Sequence, residues 1–199
     1  MSLQEIPFHR WDAQRAALII AHPGHELRIY HWLERARPLV LVLTDGSGHT
    51  NHSRLGSTTA VLEKAGAVAG SIYGRVSDQE LYRAILSRDA DFFIALVEEI
   101  AQILRRESTE YVVGDAVEGA NPGHDVCRLL LNAALSLESN RRTTVGRVIL
   151  NFRSKGRLTT DAPRSTPTPS CCILMTRRIT VNLRRLNFIR RLPPTSRGP

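Results

Sequence analysis

The segment Ala21-His22-Pro23-Gly24-His25-Glu26 puts two imidazoles three residues apart. A third imidazole sits in Asn121-Pro122-Gly123-His124-Asp125. Neutral imidazole nitrogen is a good zinc ligand, and three protein ligands leave a coordination position open. The two segments share a setting: each follows an apolar run that reads as a strand and opens a stretch that reads as helical. His22, His25 and His124 are therefore the predicted metal ligands, and zinc is the expected cofactor. His9, His31, His49 and His52 lack that setting and are read as packed or solvated side chains.

The elements that must position these residues follow from apolar patterning. Residues 15–21 form a short continuous apolar run, as expected of a buried parallel strand. A helix is expected over 23–37, with Pro23 in its first turn and Pro38 ending it. Residues 39–43 read as a second buried strand, stopped by Thr44-Asp45-Gly46-Ser47-Gly48. Ser71-Ile72-Tyr73 and Tyr111-Val112-Val113 read as the third and fourth strands, and 145–152 fits a fifth. Helices are expected over 54–68, 79–87, 89–106 and 126–137. In the third of these, Phe92, Leu96, Ile100 and Ile103 make an apolar stripe. The alternation predicts an α/β class: a Rossmann-like, mainly parallel sheet with helices on both faces and right-handed crossovers. Ligands in such sheets bind beyond the carboxyl ends of the strands. Both histidine segments and the Asp45 loop fall there.

Charge divides the chain. Residues 141–199 hold 14 of the 27 basic residues and one of the 19 acidic ones, so they carry +13, while 1–140 carry −5. The expected organisation is one α/β domain over 1–152 and an Arg/Pro/Thr-rich tail over 153–199. Three readings of the tail stand side by side: a disordered or loosely packed segment, sequence read out of frame, and a nucleic-acid-binding arm. The last lacks interleaved aromatics for stacking bases, so no nucleic-acid partner is expected. No run reaches the roughly 18–20 apolar residues of a membrane span. The first residues lack the apolar core of a signal peptide. Three cysteines, Cys127 and the adjacent pair Cys171 and Cys172, make no disulfide framework. A cytoplasmic location is expected.

Three segments together resemble a known family. Ala21–Glu26 is similar to the Ala-His-Pro-Asp-Asp-Glu signature of the PIG-L/LmbE-like zinc-dependent de-N-acetylases. Thr44-Asp45-Gly46 resembles that family's Thr-Asp-Gly loop, and Asn121–His124 its His-Pro-Asp-His segment. The resemblance covers roughly residues 15–138. It implies a Rossmann-like domain whose zinc serves removal of an acetyl group from an N-acetylated amino sugar or similar small amide. It places ligands at His22 and His124, and at His25 where the family carries aspartate. The family's general base maps to Gly24, and its outer His and Asp of the second segment map to Asn121 and Gly123.

Amide hydrolysis needs a nucleophile, stabilisation of an oxyanion and a proton for the leaving amine. Proton shuttling contributes about 10²–10⁴-fold, and glycine cannot supply it. Glu26, Asp45 and Asp125 are the candidate catalytic carboxylates by proximity in sequence. Each also has a structural reading: Glu26 on a first helical turn, Asp45 closing its turn, Asp125 holding a ligand histidine from behind. A second functional reading is a catalytically impaired or non-enzymatic member of the same fold that binds a metal or small ligand.

Overall fold

The computed structural model describes residues 14–139, 148–152 and 174–175. The strands are β1 (Ala16–Ile20), β2 (Leu39–Thr44), β3 (Val68–Val76), β4 (Tyr111–Asp115), β5 (Val148–Phe152) and β6 (Leu174–Met175). The helices are α1 (Tyr30–Ala36), α2 (Leu55–Ala65), α3 (Asp78–Ser87), α4 (Ala90–Arg106) and α5 (Pro122–Ser139). They build one sheet in the order β3-β2-β1-β4-β5-β6. The first five strands are parallel, and β6 pairs antiparallel with β5. This is the expected Rossmann-like α/β arrangement. The irregular tail expected over 153–199 lies outside the described residues, apart from β6.

The strands are apolar on both sides because both sides are covered. Ala17, Ile19, Leu41 and Leu43 pack with Leu96, Ile100, Leu104 and Leu131 of α4 and α5. Their alternates Leu18, Ile20, Val40 and Val42 pack with Leu33 and Leu62 of α1 and α2. The period of two along a strand sends successive side chains to opposite faces. No helix among the described residues is long and apolar enough to cross a membrane.

Three boundaries differ from expectation. The helix expected over 23–37 is interrupted. Residues 22–25 turn, Glu26–Ile29 form one 3₁₀ turn, and α1 begins only at Tyr30. Gly24 at φ +103 is the reason, since no helix accepts that dihedral. The third strand spans Val68–Val76 rather than three residues. Gly74 bends it at φ +64, where an added Cβ would lie 2.2 Å from Leu55. Finally α5 starts at Pro122, not at residue 126. Proline suits a first helical position, and the Asn121 side chain accepts the Gly123 N–H at 3.0 Å.

Candidate metal centre

The strand order reverses between β1 and β4. The chain leaves β1 toward β2 on one side and later returns to β4 on the other. Loops on the carboxyl ends of two such strands diverge and leave a crevice, the preferred ligand position of an open parallel sheet. Both histidine segments open into it. Ala21, just past β1, is held from both neighbours. Its N–H donates to Asp115 Oδ2 at 2.7 Å, and its carbonyl accepts from Thr44 N at 2.9 Å.

The three predicted ligands meet. Ring centroids of His22, His25 and His124 lie 4.2, 4.9 and 4.5 Å apart, pair by pair. One nitrogen from each falls within 4.8 Å of the others. His25 and His124 are buried and His22 is half-buried. Each Nδ1 has an acceptor: the Pro23 carbonyl at 3.3 Å for His22, Asp115 Oδ1 at 2.6 Å for His25, Glu118 Oε2 at 3.1 Å for His124. The two carboxylates assign the proton to Nδ1 of His25 and His124 and leave Nε2 as the unprotonated nitrogen of those two rings.

Two observations test whether zinc fits. His22 Nε2 and His124 Nε2 lie 2.9 Å apart. Two lone pairs at that distance repel unless a proton or a cation sits between them. Tetrahedral zinc with bonds of about 2.1 Å separates its ligand nitrogens by about 3.4 Å, so a shift of a few tenths of an ångström admits it. Burial first, then the neighbouring His25, pushes the His22 imidazole down to about 4. A ring that stays neutral at physiological pH is a ring that can ligate. Asn121 Nδ2 lies 2.9 Å from His124 Nε2 and donates to it, so an ion would replace that contact.

Comparison with family models, curated proteins and solved structures finds no match.

The three candidate carboxylates are each held by nearby donors. Glu26 is 1% exposed; it accepts from Gly24 N at 2.7 Å and from Thr58 Oγ1 at 2.8 Å. Asp45 closes its turn through Ser47 N at 2.9 Å. Asp125 accepts from Glu118 N at 2.7 Å and from Gly119 N. Asp125 thus holds the loop that carries Glu118, and Glu118 is what holds His124.

Beside His22 opens a cavity of about 530 Å³, lined among others by Thr44, His49, Asp78, Tyr82 and Asn121. Asp78 is the one acidic side chain among its described lining residues. It accepts from Thr44 Oγ1 and, at 2.8 Å, from Gly48 N. His49, read as packed or solvated, is exposed on this rim. Sequence reasoning missed Asp78, Asp115 and Glu118. Asp115 carried a signal, being an acidic residue right after the apolar Tyr-Val-Val-Gly run, at a strand's carboxyl end. Cys127 is buried, and burial first, then the Asp115 carboxylate that its thiol faces, raises that thiol far above the usual range.

Proposed function

We propose that this protein is a zinc-dependent amide hydrolase of the de-N-acetylase type, acting on an N-acetylated amino sugar or similar small amide. One observation carries the reading: one nitrogen from each of three imidazoles lies within 4.8 Å of the others at the strand-order reversal, beside a cavity that can hold a small molecule. Zinc held there would supply Lewis acidity and a nucleophile at neutral pH. The motif resemblance narrows the bond to an acetamide. His22, His25 and His124 would hold the ion. Asp78 is the carboxylate placed to exchange a proton with a guest in the cavity, or to accept from its hydroxyls. Tyr82 donates to Asn121 Oδ1 at 3.1 Å, which fixes the far wall. Glu26, Asp45 and Asp125 support the turns around the site. The reading gives the protein a small polar partner in the cytoplasm and no role for nucleic acid.

A second reading, metal or ligand binding without hydrolysis, draws on Gly24. That position offers no carboxylate, and its backbone disfavours one. The deciding experiment combines metal analysis of the purified full chain with amine release from N-acetylated amino sugars. About one zinc per chain with amine release, both lost in His22→Ala, supports hydrolysis. Zinc without amine release supports the second reading. Protein that takes up no divalent metal overturns the hydrolase reading and the metal-binding form of the second.

A further inference from the structure

We propose that Asp115 is the positioning residue of this site, with one carboxylate setting the placement of two ligands and the tautomer of one. The proposal rests on the metal-site reading. Asp115 ends β4 and its side chain is 2% exposed. Its Oδ1 takes the His25 Nδ1–H at 2.6 Å, and its Oδ2 takes the Ala21 N–H at 2.7 Å. Ala21 is the residue before His22. The same side chain therefore orients His25 directly and fixes the start of the turn that carries His22. Its own carbonyl accepts from Arg128 Nη1 at 3.3 Å, which steadies it from α5.

The carboxylate does more than orient. Three neutral imidazoles bring no negative charge to a divalent cation. A carboxylate on the far nitrogen of a ligating ring raises that ring's basicity and balances charge at one remove. Glu118 touches His124 in the same way, but at 3.1 Å and with 11% of its side chain exposed. Asp115 is closer to its ring, more buried, and tied to both histidines of the first segment.

Asparagine at 115 makes a sharp test because it keeps the shape and loses one acceptor. Ala21 N–H and His25 Nδ1–H both need an oxygen, and an amide has only one. If that oxygen serves Ala21, the NH₂ faces His25 Nδ1 and forces the proton to Nε2, which removes the ligand lone pair. Two measurements on the full chain decide the matter. Ring ¹⁵N NMR of metal-free protein, above the pH at which imidazoles protonate, reads the His25 tautomer. Competition with a chromophoric chelator reads zinc affinity. We expect Nδ1–H in the wild type, Nε2–H in Asp115→Asn, and zinc affinity lowered by about 10–100-fold in that variant. Asp115→Glu, which keeps both acceptor oxygens, should retain the wild-type tautomer. A wild-type His25 protonated at Nε2 overturns the proposal without any variant, so a misfolded Asp115→Asn does not shelter it. An Asp115→Asn protein with unchanged tautomer and affinity overturns it as well, while leaving the metal reading intact. A wild type that binds no zinc fails the metal reading, and the tautomer measurement still judges Asp115.

Discussion

Gly24 is the position where a single substitution separates backbone from chemistry. Its φ of +103 lies beyond the left-handed helical well that non-glycine residues sometimes use. A Cβ built there meets nothing within 4 Å, so no steric clash adds to the backbone effect. Gly24→Ala should therefore cost about 1–3 kcal/mol of strain. Stiffening the unfolded chain offsets about 0.4–1 kcal/mol of that. The net loss is about 1–2 kcal/mol, or roughly 2–8 °C in Tm for a domain of this size. Gly24→Asp shares the same backbone penalty, so the alanine variant is its control. Any difference between the two in amine release, at equal zinc occupancy, reports what a carboxylate adds beside the ligands. We expect Gly24→Asp to exceed Gly24→Ala in rate, by at most the roughly 10²–10⁴-fold of a placed general base. The assays are thermal melts and amine release from N-acetylated amino sugars. If Gly24→Ala melts with the wild type, the strain argument is wrong. If the wild type hydrolyses rapidly and neither variant changes the rate, proton transfer belongs to another residue.

Other outcomes follow from the same geometry. His124→Ala should abolish zinc uptake as His22→Ala does, checked by metal analysis; retained stoichiometric zinc would place the ion elsewhere. Asp78→Asn should lower amine release by about 10²-fold or more while zinc content stays at the wild-type level, since Asp78 lines the cavity and is not one of the three ligands. Metal-free protein should lose stability as pH falls from about 6.5 to about 4, because the folded state holds His22 neutral while the unfolded chain takes up the proton. That stability is fully present above the unfolded value. A shift of this size is worth at most about 3 kcal/mol, and partial exposure of the ring reduces it to about 2. Denaturant titrations across that range, compared with His22→Gln, isolate the contribution.

Apolar runs made β1 and β2 legible, and the histidines at strand ends could be grouped because an open parallel sheet gathers its ligands there. Pro23 misled, since it suits a helix start, whereas the following glycine adopts a dihedral that ends one; a glycine's φ is not written in its neighbours. Gly70 and Gly74 hid most of β3 because glycine reads as a breaker even where a bulged edge strand needs it. Asp115 and Glu118 went unnoticed for a different reason. Glu118 meets His124 six residues on, through a loop whose path the sequence does not show, whereas the partners of Asp115 are fixed by pairing of β1 beside β4, Ile19 against Gly114, across about ninety residues of intervening chain. Local spacing carries no trace of such a match. The candidate base was likewise sought near the histidines in sequence, while Asp78 reaches the cavity from the first turn of α3.

The clamp on Ala21 divides the labour of the crevice. The three histidines follow β1 or sit in the first turn of α5, beside the middle of the sheet, where a change would disturb the core itself. Much of the cavity rim, by contrast, comes from the loop after β2 and the first turns of α3, with Gly48, His49 and Gln79 among its residues. The exposed positions there can be rewritten without moving an imidazole. A lineage carrying this scaffold is free to drift at the rim while keeping its three histidines in place, so selection on the cavity and selection on the histidine cluster would act on separable stretches of gene.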